Sequence, residues 1–270
     1  MTFSGNPLFI NTVLLGGSPQ QKLTAAAHAG FDQVELWQQD VAAATGGVEG
    51  VAALCHSLPL ALTDYQVLLD FDGAPDALRE EKRREALQML ATAQQLGATT
   101  ILVPASTDAR CQRQRVEADL RWLVVQAAGR GIRVAYEAMA WSSHINNTAE
   151  AWQLVKRIDS PHLGLVVDAF HIFVRQRTLG DLAGIPPEKI FLVQLSDLAR
   201  QPQADALVET ARHQRLLPGE GHFPLEELLA YLRSIHYQGP IGLEVFNDER
   251  HAADPFATAE AAMRALRRLL

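Results

Sequence analysis

Short apolar runs rich in β-branched residues alternate with longer segments of helical spacing along all 270 residues. Residues 8–15, 33–37, 60–66, 99–104, 133–139, 163–169, 190–195 and 241–246 read as strands. Helical spacing fills 20–29, 50–57, 75–96, 110–130, 148–158, 224–235 and 255–269. Gly30, Gly97 and Gly131 each follow a helical segment directly, where a left-handed residue closes the last turn. The strand runs lack strict apolar–polar alternation, which suits strands buried on both faces of a parallel sheet. Eight such units predict an α/β protein, a (β/α)₈ barrel formed by one domain over residues 1–270. An open doubly wound sheet is the competing architecture, and no Gly-x-Gly-x-x-Gly follows the first strand to support it. Two connections, 175–189 and 197–223, are long enough to cover an active site.

Composition narrows the functional classes. At 48% apolar and 20% charged residues the chain is expected to bury a sizeable core. Its net charge of −7 lacks the basic footprint of a nucleic-acid binder. Cys55 and Cys111 are the two cysteines, too few for a disulfide framework or a Cys-rich zinc site. No run approaches the roughly 18 apolar residues of a membrane span. Residues 1–7 carry neither the positive patch nor the apolar core of a signal peptide. A cytoplasmic protein with a small-molecule substrate, without nucleic-acid or membrane partners and able to form a homo-oligomer, is the expectation.

In a barrel, functional side chains sit where strands end. Glu35 closes the second strand, Glu137 lies near the end of the fifth, Asp168 ends the sixth, and Gln194 and Glu244 lie late in the seventh and eighth. Each is embedded in apolar sequence, and an unpaired buried carboxylate is costly. Separate pairing of each acid with an arginine or backbone donor would meet that cost. So would a divalent cation shared by Glu137, Asp168, Gln194 and Glu244. An all-oxygen donor set suits Mg²⁺ or Mn²⁺ better than Zn²⁺, and Co²⁺ is also accepted.

These positions resemble the xylose-isomerase-like barrel superfamily, which includes sugar-phosphate isomerases, epimerases and an endonuclease branch. The resemblance implies a metal held by acids of strands five, six and eight and by a residue of strand seven. Many members carry His on strand seven. Gln194 is instead similar to the bacterial 3-dehydroshikimate dehydratases. The strings 136–141 (Tyr-Glu-Ala-Met-Ala-Trp), 168–172 (Asp-Ala-Phe-His-Ile), 218–221 (Pro-Gly-Glu-Gly) and 243–248 (Leu-Glu-Val-Phe-Asn-Asp) carry the narrower match, with Asp64-Tyr65-Gln66 on strand three. Ala211 stands where a hydroxyl residue is expected before Arg212-His213. In those relatives a dioxygenase-like domain often follows the barrel, so the expectation here is a stand-alone form.

The resemblance implies loss of water from 3-dehydroshikimate to give protocatechuate, with an isomerase or epimerase of a keto-sugar or inosose as the alternative. Both begin by taking a proton from a carbon beside a carbonyl. His171, three residues after Asp168, is the first candidate for acid or base, and His144 the second. Arg215 is expected to grip the substrate carboxylate as a bidentate fork, and Gln66 and Tyr65 to bond ring hydroxyls. Arg212 reads as a solvated loop residue, and Glu35 as either a structural partner or a substrate contact.

Overall fold

The computed structural model describes residue 3 and residues 5–270. Met1, Thr2 and Ser4, part of the stretch read for a targeting signal, lie outside the described residues. Eight strands, β1 (Leu8–Asn11), β2 (Gln33–Trp37), β3 (Ala61–Gln66), β4 (Thr100–Pro104), β5 (Arg133–Glu137), β6 (Leu163–Asp168), β7 (Ile190–Leu195) and β8 (Ile241–Leu243), form a closed, all-parallel barrel in chain order. Closure is by β1 on β8, with Leu8 opposite Ile241 and Ile10 opposite Leu243. Helices on the outside connect successive strands, and their apolar faces join the outward strand residues in one continuous core. Among the described residues no helix is long and apolar enough to cross a membrane.

Residues alternate in and out along each strand. Phe9, Leu102, Ala135, Val166, Phe191 and Leu192 fill the barrel interior as a separate cluster, the consecutive Phe191 and Leu192 sharing it where the β6–β7 register shifts by one residue. One step of the alternation further on, the inward side chains become polar: Asn11, Glu35, Glu137, Asp168, Gln194 and Glu244, all buried. The apolar layer is therefore a floor, and the polar layer lies above it at the ends where strands leave the barrel.

Several boundaries differ from the sequence reading. β1 stops at Asn11 rather than 15, because the Asn11 side chain accepts the Val13 N–H and starts a 3₁₀ turn, Thr12–Leu14. β6 ends at Asp168, whose carboxylate accepts the Phe170 N–H and caps a helical turn, Ala169–Phe173. β8 is three residues long, and Asn247 then bridges to Gln214 of the preceding loop. Segment 175–189 holds two 3₁₀ turns, and segment 197–223 holds the helix Leu207–His213. These pieces are too short to show apolar periodicity in sequence. Gly30, Gly97 and Gly131 do stand at φ 83°, 76° and 69°. At Gly97 this left-handed residue ends the 21-residue helix Asp76–Leu96 by returning its N–H to Ala93 and Gln94.

Two positions expose the tolerance of the barrel. Gly242 lies in β8 against β1, where a Cβ would fall 2.2 Å from the Phe9 carbonyl oxygen and 2.3 Å from its ring. Backbone cannot yield as a side chain can, so Gly242→Ala is expected to destabilise by about 1–3 kcal/mol or more, read as a lowered thermal midpoint. Asp72, 1% exposed, accepts from the Ser106 N–H (2.8 Å) and the Tyr136 hydroxyl (2.7 Å) and so ties the ends of β3, β4 and β5 together. Burial pushes its pKa up to about 6 against the opposing pull of those hydrogen bonds. The folded state then holds this proton more tightly than the unfolded chain, so its contribution is full below the ordinary carboxylate pKa and is lost as pH rises toward 6. Comparing Asp72→Asn with wild type by denaturant unfolding from pH 4 to 8 should show wild type losing ground up to about pH 6 and no further change above it.

Candidate active site

Above the polar layer lies a cleft of about 520 Å³, walled by Trp37, Met139, Trp141 and Phe246 and reaching Glu137, His171, Arg215 and Glu244 at its base. Arg212 and His213 stand at its rim, contributed by the helix Leu207–His213. Strand geometry delivers the acids. Asp168 and Gln194 are register partners across β6 and β7, and Glu137 sits at the end of β5 beside β6. Single ligand atoms of Glu137, Asp168 and His171 lie within 4.8 Å of one another, a grouping that could hold a metal ion.

Burial dominates the electrostatics. It raises Glu137 well above the ordinary carboxylate range, with Glu244 and Asp168 pushing further the same way. It raises Glu244 to about 7 although Arg215 pulls down. Asp168 is also raised by burial, against an arginine bonded directly to it. That arginine, Arg215, is 2% exposed; its Nη1 donates to Asp168 Oδ2 at 2.9 Å and Glu244 Oε2 at 3.1 Å, and its Nε to the Ala211 carbonyl at 2.9 Å. Phe170 and Phe246 lie against its guanidinium at 4.3 and 5.1 Å. One cation thus serves two acids. Among the described residues, Glu137 Oε1 and Gln194 Oε1 near the cleft, and Asp64 Oδ2 lower in the cluster, are buried without a hydrogen-bond partner. Unpaired acceptors in an acid-rich, all-oxygen centre fit a divalent cation, and no donor among the described residues fills that role.

The sequence-predicted residues separate into two groups. Glu137, Asp168, Gln194 and Glu244 come together, with His171 and Arg215 beside them. Arg215 does not offer a bidentate fork: Nε and Nη1 are taken, which breaks both paired edges of the guanidinium and leaves Nη2. Arg212, read as a solvated residue, is exposed but lines the cleft and has no side-chain partner among the described residues. His144 does not line the cleft; its Nε2 meets the Cys111 carbonyl at 3.0 Å, a structural contact. Tyr65 points outward between Asp64 and Gln66, into the core packed by the helix Asp76–Leu96, so it bonds no ring hydroxyl. Gln66 does point inward, yet it is wholly buried beneath the cleft. Its amide, oriented by its partners, gives nitrogen to Asp64 Oδ1 and oxygen to Asn11 Nδ2 and Trp37 Nε1.

Sequence reasoning missed Asn11, Asp64 and Asp197. Asn11 and Asp64 obey the same rule of polar residues late in strands, but reading the first strand through to 15 hid Asn11. Asp197 shapes the long loop from within: its carboxylate accepts the N–H groups of Leu198, Gly219, Gly221 and Phe223 at 2.8–3.0 Å.

His171 is held in one tautomer. Its Nδ1 accepts the Ala140 N–H at 3.1 Å, so the proton of the neutral ring sits on Nε2, 3.6 Å from Glu137 Oε1 and from Asp168 Oδ2. Burial and then the Arg215 charge push its pKa well below the usual imidazole value. Sequence offers His171 as acid or base; in the structure its Nδ1 lone pair is engaged by the Ala140 N–H and Nε2 carries the hydrogen, so the ring stands as a neutral N–H donor. In this tautomer Nε2 presents a hydrogen rather than a lone pair, so His171 could join the grouping with Glu137 and Asp168 as a ligand only after losing or moving that proton.

A parallel eight-stranded barrel with clustered acids at its C-terminal mouth defines a class of enzymes acting at that mouth. A family model described as the xylose isomerase-like TIM barrel matches residues 23–269, and the chain belongs to that family. The chain is 38% identical over 259 residues to a 3-dehydroshikimate dehydratase of Pseudomonas aeruginosa, a match covering 95% of this chain and 40% of that protein. It thus spans less than half the length of that relative. An inosose isomerase of Halalkalibacterium halodurans is 26% identical over 200 residues, 72% of this chain and 68% of the relative. A solved xylose isomerase-like TIM barrel/4-hydroxyphenylpyruvate dioxygenase fusion protein superposes with a TM-score of 0.93 at 34% identity, over 98% of this chain and 43% of that one.

The tautomer has a direct readout. In long-range ¹H–¹⁵N spectra of the metal-free protein, His171 is expected to keep a protonated Nε2 and a bare Nδ1 from pH 5.5 to 8.5. A ring titrating near the usual imidazole value would refute the assignment.

Proposed function

We propose that this chain converts 3-dehydroshikimate to protocatechuate, a metal-dependent elimination of water that begins with loss of the proton beside the ketone. The observation that carries the reading is the junction of two unlike surfaces: a buried acid centre whose unpaired oxygens include Glu137 Oε1 and Gln194 Oε1, under a cleft walled by aromatic rings. The likeness to the Pseudomonas dehydratase supplies the substrate.

Glu137, Asp168, Gln194 and Glu244 would hold the divalent cation, and their oxygens favour Mg²⁺ or Mn²⁺. When bound, that ion supplies Lewis acidity toward the substrate's ketone oxygen. The chain's own residues do the remaining work. Trp37, Trp141 and Phe246 present apolar faces to a flat six-membered ring and keep water from it. Arg215 Nη2 from the base and Arg212 from the rim offer two donors to the substrate carboxylate, in place of one bidentate fork. His171 holds its proton at Nε2, where it can donate a hydrogen bond to an oxygen on which charge develops, and Trp141 fixes the ring edge-on with centroids 5.1 Å apart. A neutral imidazole suits that task because it gives no proton away before the transition state.

An isomerase of an inosose or keto-sugar is the second reading, supported by the inosose isomerase relative. The product distinguishes the two, since only dehydration creates an aromatic ring. Protein stripped with a chelator is expected to form no protocatechuate by ultraviolet absorbance and to recover on adding Mg²⁺ or Mn²⁺. Glu137→Ala and Glu244→Ala should lower kcat/KM by about 10³-fold or more, given the usual size of lost electrostatic stabilisation. Metal-loaded wild type that makes no aromatic product, yet exchanges the proton beside the ketone of an inosose with solvent, would establish the isomerase instead.

A further inference from the structure

Glu35 is wholly buried on β2, does not line the cleft and touches no group assigned a role in binding substrate. Its carboxylate reaches across the barrel to β7, where Gln194 Nε2 donates to Glu35 Oε1 at 2.9 Å and to Glu244 Oε1 at 3.3 Å. The other oxygen, Oε2, accepts from Asn11 Nδ2 at 3.2 Å, and the same Asn11 nitrogen donates to Glu244 Oε1 at 3.0 Å. Asn11 cannot turn over, because its Oδ1 accepts the Val13 N–H at 3.0 Å. These contacts decide the orientation of the Gln194 amide. Its nitrogen faces two carboxylates, and reversing it would set its oxygen against both. The Gln194 oxygen is thereby turned away from Glu35, and it is the buried oxygen that has no partner.

We propose that Glu35 is a positioning residue for the metal centre: it fixes the Gln194 amide so that Oε1 is presented as a ligand, and the two residues form a matched acceptor–donor pair. The proposal rests on the metal reading above. Outer hydrogen bonds that orient a ligand are part of metal sites in general. The pairing also accounts for an amide at position 194. A carboxylate there would add charge for the cation but would set an acceptor where Glu35 and Glu244 now receive the amide N–H. Electrostatics alone favours a Glu at 194; the hydrogen-bond geometry forbids it while Glu35 is present. Exchanging the two residues conserves charge and restores one amide facing one carboxylate.

The test is Mn²⁺ affinity, read by the electron paramagnetic resonance signal of free Mn²⁺ during titration of the metal-free protein, with thermal melts of each variant alongside. Gln194→Glu and Glu35→Gln are each expected to weaken Mn²⁺ binding about tenfold or more, the usual cost of losing such an orienting contact. The double variant Glu35→Gln/Gln194→Glu is expected to return to within about threefold of wild type. Gln194→Glu binding as tightly as wild type, or a double variant no better than the singles, would overturn the proposal. Glu35→Gln removes a buried charge and keeps the shape of the side chain, so it tests the idea even where Gln194→Glu does not fold; unchanged affinity in that variant is sufficient refutation. Wild type that takes up no Mn²⁺ would instead remove the metal reading, and this proposal with it.

Discussion

Glu35, Asp64, Glu137, Asp168 and Glu244 are all buried at one end of the barrel, and the cost of holding these acids together governs the rest of the molecule. Removing a carboxylate from water is expensive, and neighbouring carboxylates add to that cost. Burial lifts the pKa of every member, to about 7 for Asp64 and Glu244 and well above the ordinary range for Glu35 and Glu137. Glu35 and Asp64 also lie against each other, so the lower part of the cluster is held by shared hydrogen and amide donors. The upper part is held by one guanidinium. The apolar floor could have been continued upward at far lower cost in stability.

Delivering that guanidinium explains the long segment after β7. Arg215 lies within it, bonded through its backbone N–H to the Phe246 carbonyl and through its own carbonyl to Asn247 Nδ2. Leu216 pairs with Asp197, and the Asp197 carboxylate gathers four backbone N–H groups from both ends of the loop. A segment with little regular structure becomes rigid because a buried acid supplies the acceptors that a strand or helix would otherwise provide. The same segment carries Arg212 and His213 to the rim. His213 is engaged by Asp248 at 3.0 Å, while Arg212 is left to face the cleft. The loop therefore sets both the buried charge that serves the acids and the exposed charge that faces the cleft.

How much of this was legible in the sequence depended on which physical rule each residue obeys. The barrel was legible because burial on two faces writes continuous apolar runs, and the glycines at 30, 97 and 131 mark helix ends by a local backbone requirement. Glu137, Asp168, Gln194 and Glu244 could be picked out as polar residues late in apolar strands. Asn11 obeys the same rule but was masked when β1 was read four residues too long. Tyr65 and Gln66 are adjacent, so one of the two had to point away from the barrel; a one-residue choice of phase decides which. His144 and Arg215 show a different limit. Sequence placed both near the site, but the contacts that define them, a Cys111 carbonyl for one and two carboxylates with the Ala211 carbonyl for the other, come from residues remote in the chain or from loop backbone that no periodicity describes.

The distribution of donors and acceptors makes the centre asymmetric. Arg215 sits on the β6 and β8 acids, Asp168 and Glu244, and the amides of Asn11 and Gln194 sit between Glu244 and Glu35. Each of Glu35, Asp168 and Glu244 has a donor, and Asp64 has one at Oδ1 but none at Oδ2. Glu137 on β5 has none for Oε1, and the amide that satisfies Glu35 and Glu244 turns its own unpaired oxygen away from them. The need that the protein leaves unmet is thus for positive charge between β5 and β7, beside Asp168. A small hard cation would meet that need where a second arginine could not, because a compact ion can be approached by several oxygens at once while a guanidinium offers its hydrogens only in a plane. Among the described residues, the donor aimed at this side is His171 Nε2, held 3.6 Å from both Glu137 and Asp168, too far to satisfy either. Its proton remains available for a ligand's oxygen rather than for the protein's own acids.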